Sequence, residues 1–303
     1  MFLKYSQSQN KEIFVGQNKT IFSFTNENES NLDEKTVSSF GEEWLKFDSF
    51  TEQEIKVAGD QYFDIVEETI LNNESTVLDL GCGTGRWTKY VANKVKIVEA
   101  VDPSEAVLAA SKLIGDIPNV RITQASVSNI PFDDESFDFI ICLGVLHHIP
   151  DTQQALSDLC KKLKKNGHIL LYLYYSLDNR GTFYKFIFHS STLIRKLVSK
   201  FPQGLKKFTC DVIAVLVYMP LVLLTRFLQV IFGQKKWINK IPLSYYKDKS
   251  FNIIRNDALD RFGTPLEQRF SKDEIKTLLR NAGVSETQFS DNEPYWHVLG
   301  KKV

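Results

Sequence analysis

Residues 77–87 read VLDLGCGTGRW, and this stretch decides the fold. A short run of apolar and acidic residues leads directly into three glycines at alternate positions, Gly81, Gly83 and Gly85. Glycines spaced in this way after a strand indicate a tight turn at which a ligand approaches a bare backbone. Asp79 stands just before the turn, and its carboxylate would repel a pyrophosphate and attract a cationic group.

The sequence that follows alternates short apolar runs with amphipathic helices, which is the rhythm of βαβ units. It predicts a parallel sheet covered on both faces. The predicted strands are TVLDL, KIVEAVD, NVRITQAS, FDFIICLGV and GHILLYLYYS, and the helices between them are GRWTKYVANKV, PSEAVLAASKLI and DTQQALSDLCKKL. Ligands of such sheets bind beyond the carboxyl ends of the strands. The second strand ends in Asp102, an acid that can accept hydrogen bonds from both hydroxyls of a ribose.

Four segments carry a family resemblance: VLDLGCGTGRW, VEAVDPSEAVLAAS, NIPFDDESFDFIICLGVLHHIPD and LKKNGHILLYLYYS. In order and spacing they resemble the class I S-adenosylmethionine-dependent methyltransferases, in particular bacterial members of the methyltransferase-11 type. The resemblance covers residues 75–175 and 270–303, where the closing helix and two strands are similar to the family's terminal hairpin. It implies an α/β, Rossmann-like, doubly wound sheet of seven strands, in the order 3-2-1-4-5-7-6 with strand 7 antiparallel.

The resemblance also implies the cofactor S-adenosylmethionine, with S-adenosylhomocysteine as product, and it assigns a set of binding residues. These are Asp79, Gly81, Cys82 and Gly83 for the methionine part, Asp102, Pro103 and Ser104 for the ribose and adenine, Ser126 and Val127 at the adenine ring, Leu143 and Gly144 on the methyl-donor side, and Phe40 and Trp44 as a cover. Ser126 departs from the family, which usually has Asp there. A serine hydroxyl is a weaker, neutral acceptor. For Phe40 and Trp44, packing of the N-terminal helix onto the core is an equal alternative.

Methyl transfer to a hydroxyl or ammonium benefits from a base, and His147 and His148 follow the fourth strand of the core. The alternative is a structural histidine bonded to the backbone. A second group of polar residues is predicted to bind the acceptor. The alternative is a solvated surface loop with ion pairs. Its members are Arg255, Asp257, Asp260, Arg261 and Arg269, with Tyr295 and His297 near the last strand.

Five segments are predicted along the chain. They are a polar extension with one short hairpin (1–35), a helical cap (36–74), the cofactor-binding core (75–180), an apolar and basic helical insertion between strands 5 and 6 (181–250), and an acceptor-facing loop followed by the closing helix and hairpin (251–303). The cap contains a capping-box pattern, Thr51 with Glu54, before apolar residues that recur at helical spacing as far as Ile70.

The insertion holds an uninterrupted apolar run, Val212–Leu224, in which Pro220 predicts a kink. The run is shorter than the roughly 20 residues of a comfortable membrane span. Lysines flank it on both sides, at 196–207 and at 235–240. Three interpretations stay open: a helical lid packed on the domain, an interfacial helix pair lying on a membrane, and a dimer interface. An apolar lid would suit a lipid-linked acceptor.

Bulk composition narrows the function classes. Lys+Arg and Asp+Glu number 37 each, which argues against a protein that grips nucleic-acid backbones. The four cysteines form no CxxC pair and no zinc spacing, so we expect reduced thiols, no metal and a cytoplasmic location, with peripheral contact to the inner face of the membrane as an alternative. We expect a monomer or homodimer that methylates a small or lipid-linked acceptor, such as a glycan precursor, lipid or secondary metabolite. A non-catalytic binding protein of the same fold is the alternative from a different class.

Overall fold

The computed structural model describes residues 1–15, 19–26, 29–46, 50–178, 181–235, 237–238 and 241–303. The chain forms two compact units, one of residues 1–178 with 266–303 and one of residues 179–265. The second unit therefore begins close to the start of the predicted insertion and runs further, through the segment 251–265 that the sequence placed in an acceptor-facing loop.

The first unit is built on one sheet. Its strands are β1 (Lys11–Val15), β2 (Lys19–Ser23), β3 (Thr76–Leu80), β4 (Ile97–Asp102), β5 (Val120–Gln124), β6 (Phe137–Leu143), β7 (Leu163–Tyr172), β8 (Val284–Phe289) and β9 (His297–Lys302). Their order is β1-β2-β5-β4-β3-β6-β7-β9-β8. The seven strands from β3 onward confirm the predicted order, and β9 is antiparallel to both neighbours.

The predicted number of strands was wrong, because the sheet has nine rather than seven. The N-terminal hairpin is the source of the other two. Strand β2 pairs in parallel with β5, Phe22 opposite Thr123 and Ser23 opposite Gln124, and so extends the sheet at that edge. Ile21 and Ser23 are buried there, so the hairpin is part of the first unit's packed structure.

The helices are α1 (Glu34–Lys46), α2 (Glu52–Tyr62), α3 (Arg86–Val91), α4 (Ala106–Ile114), α5 (Thr152–Lys161), α6 (Thr182–Val198), α7 (Gln203–Ile213), α8 (Met219–Phe232), α9 (Phe251–Gly263) and α10 (Lys272–Asn281). The predicted capping box of α2 forms. The helix is shorter than its apolar pattern predicted: Phe63 ends it, and Ile65, Val66 and Ile70 lie beyond it. These residues still pack against the core, so the apolar pattern of the sequence reflects burial rather than a longer helix.

Side chains alternate between the two faces of the sheet. Leu78 and Leu80 of β3 belong to the cluster that includes Leu156 of α5 and Leu279 of α10. Val77 belongs to the opposite cluster, which includes side chains of α3 and α4. The helices therefore cover both faces, as the strand–helix alternation predicted.

The second unit contains α6 to α9 and has its own apolar core. Residues 203–232 form one continuous helix, in which a π-helical segment, Ala214–Tyr218, joins α7 to α8. Pro220 is the second residue of α8, and the wider π turn comes immediately before it. The helix is longer than its uninterrupted apolar run, because polar residues continue it at both ends. The prediction of a loop at the start of 251–303 was wrong, since residues 251–263 are helical.

Candidate functional site

The loop between β3 and α3 is folded by glycine geometry. The φ angles of Gly81, Gly83 and Gly85 are +69°, +53° and +86°, a region that other residues rarely adopt. A Cβ at Gly81 would lie 2.3 Å from Cγ2 of Val145, so the loop after β3 packs directly on the loop after β6. A Cβ at Gly85 would lie 2.5 Å from Cδ1 of Ile114. The packing of the chain itself therefore requires glycine at both Gly81 and Gly85.

Asp79 is buried at the end of β3 with only one of its carboxylate oxygens engaged. Its Oδ2 accepts a hydrogen bond from Oγ1 of Thr88 at 2.6 Å. Its Oδ1 has no hydrogen-bond partner among the described residues. Burial raises the pKa of this carboxyl to about 7; the nearby Asp102 adds to the rise, while Thr88 and the charge of Arg86 oppose it. The site therefore holds a buried acceptor that a cationic or hydrogen-bonding ligand would satisfy.

Asp102 at the end of β4 holds the glycine loop. Its Oδ2 accepts a hydrogen bond from the backbone N–H of Gly83 at 3.0 Å. Its Oδ1 accepts from the N–H and the hydroxyl of Ser104, at 2.9 and 2.6 Å. Burial raises the pKa of Asp102, and these three donors oppose the rise. The predicted cofactor residues Gly83, Asp102 and Ser104 therefore meet in one hydrogen-bonded group.

Helix α1 lies over this group. A Cβ at Gly41 would approach N of Glu105 at 3.2 Å, and a Cβ at Gly83 would approach Nε1 of Trp44 at 3.3 Å. The ring of Phe40 lies 4.8 Å from that of His148, between centroids. Phe40 and Trp44 thus reach two separate loops at the carboxyl edge of the sheet, which is the placement that a cover over a ligand needs.

Ser126 follows β5 and is almost fully buried. Its hydroxyl donates a hydrogen bond to Oε2 of Glu29, in the N-terminal extension. The extension therefore brings a carboxylate to the position at which the sequence has a serine instead of an acid. Nothing in the sequence pattern of residues 1–35 indicates this role for Glu29, because the contact depends on how the added hairpin folds.

Aromatic rings line the carboxyl ends of β6 and β7. Gly144, just after Leu143, has φ +81°, and a Cβ there would meet nothing within 4 Å. Its N–H donates to the carbonyl of Tyr172 at 3.1 Å. The ring of Tyr172 lies 5.3 Å from that of Tyr62 and 5.9 Å from that of Tyr174, between centroids. Sequence reasoning missed Tyr172 and Tyr174, since the run LLYLYYS reads only as a strand.

His147 is completely buried, and it packs against the ring of Tyr174. Its imidazole stacks on Tyr174 with 3.9 Å between centroids, and its Nδ1 accepts from the N–H of Tyr174 at 3.4 Å. The proton of the neutral ring then lies on Nε2, which has no partner among the described residues. Burial lowers the pKa of His147 well below its usual range, and the charges of His148 and Arg269 lower it further. The ring is a neutral donor.

His148 has the opposite tautomer. Its Nδ1 lies 2.7 Å from the carbonyl oxygen of Leu266, and a carbonyl can only accept. Nδ1 therefore carries the proton, and in the neutral ring Nε2 carries the lone pair. The two adjacent histidines therefore carry their lone pairs on different nitrogens, Nδ1 in His147 and Nε2 in His148.

The predicted acceptor residues separate into two groups. Four lie on α9 of the second unit, in contacts internal to that unit. Arg255 forms a bidentate pair with Asp211, at 2.9 and 2.8 Å. Asp257 accepts from Tyr218 at 2.8 Å and from Tyr246, and it lies 3.5 Å from Arg261. Asp260 accepts from Thr264 at 3.3 Å. These contacts stabilise the second unit.

The other three lie in the first unit. Arg269 pairs with Glu267 at 2.8 Å, and its guanidinium carbon lies 5.2 Å from the ring centroid of Tyr174. Tyr295 packs on Tyr175 at 5.7 Å between centroids. His297 is fully buried, with Nδ1 2.8 Å from the carbonyl of Pro294 and Nε2 2.7 Å from Oδ1 of Asp64. Both nitrogens of His297 therefore contact acceptors within the chain, as expected of a histidine that stabilises the fold.

Glu267 was not singled out by its sequence. Its side chain is 3% exposed, and its Oε1 holds Arg269. Its Oε2 is buried without a partner among the described residues. Of the four such atoms in the described chain, three belong to the first unit: Asp79 Oδ1, His147 Nε2 and Glu267 Oε2. Asp79 lies near the end of β3, and His147 follows β6, the parallel neighbour of β3.

Comparison with known proteins identifies the central segment. A sequence model described as a methyltransferase domain matches residues 78–171. This segment is a class I S-adenosylmethionine-dependent methyltransferase domain. The match includes the glycine loop, Asp102, both adjacent histidines and β7, and S-adenosylmethionine is the cofactor of this family.

Relatives of the methyltransferase domain share this segment. The chain is 28% identical over 133 residues to an uncharacterized methyltransferase, YcgJ, of Bacillus subtilis, covering 43% of this chain and 53% of that protein. It is 29% identical over 118 residues to a ubiquinone biosynthesis O-methyltransferase of Coxiella burnetii, covering 38% and 49%. The matched segment thus spans about half the length of each of these two relatives. A solved methyltransferase structure from Aquifex aeolicus aligns with 84% of this chain and all of its own, at 15% identity and a TM-score of 0.45.

The residues present fit the cofactor. The unsatisfied buried oxygen of Asp79 is an acceptor for an ammonium group, and Gly81 and Gly83 place backbone without a Cβ at two positions of the loop. Asp102 lies where the second core strand ends, at the carboxyl edge where such ligands bind.

Proposed function

We propose that the protein is an S-adenosylmethionine-dependent methyltransferase that acts on a small or lipid-linked acceptor. Asp79 holds the amino group of the methionine part, the backbone of Gly81 and Gly83 forms its floor, and Asp102 receives the ribose hydroxyls. When bound, S-adenosylmethionine supplies a methyl carbon that bonds to the acceptor atom as its bond to sulfur breaks, so that S-adenosylhomocysteine leaves with the bonding electron pair.

The residues of the chain align the acceptor, exclude water and take up a proton. The faces of Tyr62, Tyr172 and Tyr174 carry negative potential and favour a cationic centre beside them. Helix α1 covers the loops from above and removes water from the site. When the acceptor atom is a hydroxyl or ammonium, its proton passes to Nε2 of His148, whose tautomer is set by Leu266.

One observation carries the proposal: Oδ1 of Asp79 is buried and has no partner in the described structure. An unsatisfied buried carboxylate oxygen destabilises the ligand-free protein, and a cation-bearing ligand relieves that cost. A purely structural aspartate at this position would have both oxygens engaged.

The test is calorimetric titration of the full-length protein with S-adenosylmethionine, S-adenosylhomocysteine and NAD. We expect saturable binding of both adenosyl ligands, no binding of NAD, and loss of about 10- to 100-fold in affinity in Asp102→Ala, since hydrogen bonds to a charged group contribute about 1.5–3 kcal/mol. Asp116→Asn, which changes an exposed aspartate, is the matched control and keeps wild-type affinity. Failure of both adenosyl ligands to bind would contradict the proposal.

A lipid-linked acceptor is favoured over a water-soluble one by the long apolar helix of the second unit. The test uses S-adenosylmethionine with a tritiated methyl group and a bacterial membrane extract, separated into organic and aqueous phases. Label in the organic phase supports a lipid-linked acceptor, and label confined to the aqueous phase contradicts it. Binding of S-adenosylmethionine without transfer of label to either phase would favour the alternative, a non-catalytic binding protein of this fold.

A further inference from the structure

The exposed apolar surface of the protein is concentrated in the second unit. Of the 21 large apolar side chains that the described part of the chain exposes, 17 lie within residues 179–265. The first unit contributes four: Met1, Phe14, Val57 and Val303. A concentration of this kind marks a surface that meets an apolar partner.

Most of these side chains lie on the continuous helix 203–232. One stripe of this helix, at spacings of three or four residues, faces the second unit's own core and is buried: Cys210, Ala214, Tyr218, Val222 and Thr225. The opposite side carries exposed apolar residues at similar spacings, which we call the outer face. Its members include Leu205, Phe208, Val212, Val215, Leu216, Leu223, Phe227 and Val230. The helix is apolar on both sides, and only one side is covered.

The covered side is fixed by polar contacts to α9 and its neighbours. Tyr218 donates to Asp257, and Asp211 forms a bidentate pair with Arg255. A membrane-spanning position would take this charged partner helix, with its four charged side chains, into the hydrocarbon, and each such charge costs several kcal/mol. The arrangement favours a helix that lies along a membrane with its outer face inward.

The length and exposure of the helix agree with this placement. The helix has 30 residues, its most apolar window has a mean hydropathy of 2.1, and 28% of that window is buried. A core helix of a soluble protein would be mostly buried, and a leader would lie near the N-terminus. No charged residue occurs from Val212 to Thr225. An in-plane helix of this kind buries its apolar face at the boundary between headgroups and acyl chains.

Charge identifies the kind of membrane. Residues 179–265 contain 15 lysines and arginines against 4 aspartates and no glutamate, a net charge of +11. Because the whole chain is neutral, with 37 residues of each sign, the rest carries −11. Exposed Lys196, Lys200 and Lys235 lie on either side of the apolar helix along the chain. Anionic headgroups attract such a unit, and zwitterionic ones do not.

We propose that the second unit docks the protein on anionic lipid bilayers, with helix 203–232 in the plane of the surface and its outer face among the lipid chains. This inference is independent of the proposed enzymatic activity, since it rests on residues outside the methyltransferase domain.

The test is sedimentation of the full-length protein with vesicles of phosphatidylcholine alone and of phosphatidylcholine mixed with phosphatidylglycerol. We expect at least tenfold tighter binding to the anionic vesicles, weakened as salt is raised from about 0.1 to about 1 M, where the Debye length falls from about 10 to 3 Å. Equal binding to both vesicle types, or none to either, would overturn the proposal.

Two triple variants test the contributions of lysine charge and of the apolar outer face to vesicle binding. Lys196→Gln with Lys200→Gln and Lys235→Gln is expected to weaken binding to anionic vesicles by about a hundredfold, since each lysine near the surface contributes about 1 kcal/mol. Leu216→Ser with Leu223→Ser and Phe227→Ser is expected to weaken it at least tenfold. Phe14→Ser with Val57→Ser, which changes exposed apolar residues of the first unit, is the matched control and binds as wild type.

Three further outcomes would contradict this docking mode. Vesicle binding unchanged in both triple variants would remove the surface assigned here. A stable homodimer in solution that lacks vesicle affinity would assign the outer face to a second copy of the chain. Protection of one end of helix 203–232 from protease added outside sealed vesicles would show a membrane span. Titration with S-adenosylmethionine in the same samples reports separately on the first unit.

Discussion

Asp79 and Thr88 tie the end of β3 to the first turn of α3: the threonine hydroxyl donates to Oδ2 of the aspartate at 2.6 Å, and Oδ1 stays buried without a partner. Burial raises the pKa of this carboxyl to about 7. The unfolded chain ionises the same group near its usual value of about 3.9. Between these two pH values the folded, ligand-free protein holds the proton more tightly, so its free energy of unfolding falls as pH rises.

This relationship predicts opposite effects of Asp79→Asn on stability and on ligand binding. The variant removes a buried charge, so the ligand-free protein gains up to about 4 kcal/mol in unfolding free energy at pH 8, from a difference of about three pKa units. It also loses the anion that binds the ammonium group, and affinity for S-adenosylmethionine falls about 100-fold or more. Denaturant unfolding and calorimetry at pH 8 measure the two quantities.

The pH dependence of binding gives a second check. For the wild type, affinity for S-adenosylmethionine rises with pH up to about 7, by up to tenfold per unit, because the ligand binds the ionised carboxylate. In Asp79→Asn this part of the pH dependence disappears. Thr88→Val, which removes the donor to Oδ2 and keeps the carboxylate, retains it. A wild-type affinity that is flat from pH 5 to 7 would contradict the assigned role of Asp79.

The two adjacent histidines are predicted to differ in function although their sequence positions are equivalent. His148→Gln lowers the rate of methyl transfer about 10²- to 10⁴-fold, the usual contribution of a general base, and leaves affinity for S-adenosylmethionine unchanged. His147→Gln changes the rate less, because Nε2 of His147 already carries a proton, and it destabilises the buried cluster with Tyr174. Label transfer to a membrane extract measures the rate, and thermal unfolding measures stability.

The pH–rate profile separates a base from a positioning residue. Loss of the acidic limb of the profile in His148→Gln supports the assignment. The same limb persisting in His148→Gln and vanishing in His147→Gln would reverse the two roles.

The fold was largely readable from sequence because its signals are local. The strand TVLDL, the glycine loop and the capping box of Thr51 with Glu54 are each set by neighbouring residues, and each forms as predicted. The order of the seven core strands followed from the family resemblance. The added hairpin was expected as a hairpin, but its pairing with β5 is a long-range contact that no local pattern encodes.

The site was only partly readable for the same reason. Residues at strand ends, such as Asp79 and Asp102, were found because parallel strands bring their carboxyl ends to one edge. Acceptor binding by Asp257 stays a prediction. The sequence did not indicate that its carboxylate accepts hydrogen bonds from Tyr218 and Tyr246, because these contacts depend on how α9 packs. Glu29 was missed because its contact with Ser126 depends on the tertiary fold.

Asp257 is therefore predicted to stabilise the second unit and to take no part in cofactor binding. Asp257→Ala leaves the hydroxyls of Tyr218 and Tyr246 without their acceptor in a buried cluster, at a cost of about 1–3 kcal/mol for each unsatisfied group. We expect vesicle binding to fall and affinity for S-adenosylmethionine to stay within twofold of wild type. Asp248→Ala, which changes another aspartate of the same unit, is the matched control. A large loss of S-adenosylmethionine affinity in Asp257→Ala would contradict this assignment.

His297 contacts Asp64, and we predict that this contact stabilises the first unit. The sequence had suggested acceptor binding as a role for His297. Both nitrogens of the buried imidazole face acceptors: Nε2 lies against Oδ1 of Asp64, and Nδ1 lies against the carbonyl of Pro294. Asp64 also accepts from Ser290 and Asn292. Burial alone would raise the pKa of Asp64, but the hydrogen bonds from Asn292, His297 and Ser290 outweigh burial and lower it.

A carboxyl whose pKa is lowered on folding contributes stability above its unfolded pKa of about 3.9 and loses it as pH falls through the folded value. Asp64→Asn is expected to cost about 1–2 kcal/mol at pH 7, at the low end for charged hydrogen bonds because the side chain is 21% exposed. The difference from wild type narrows as pH falls below about 4, because the unfolded chain then takes up a proton at Asp64 more readily than the folded protein does. Denaturant unfolding at pH 7 and pH 3.5 measures both values. A constant difference at the two pH values, or a loss of methyl transfer at unchanged stability, would return His297 to the acceptor site.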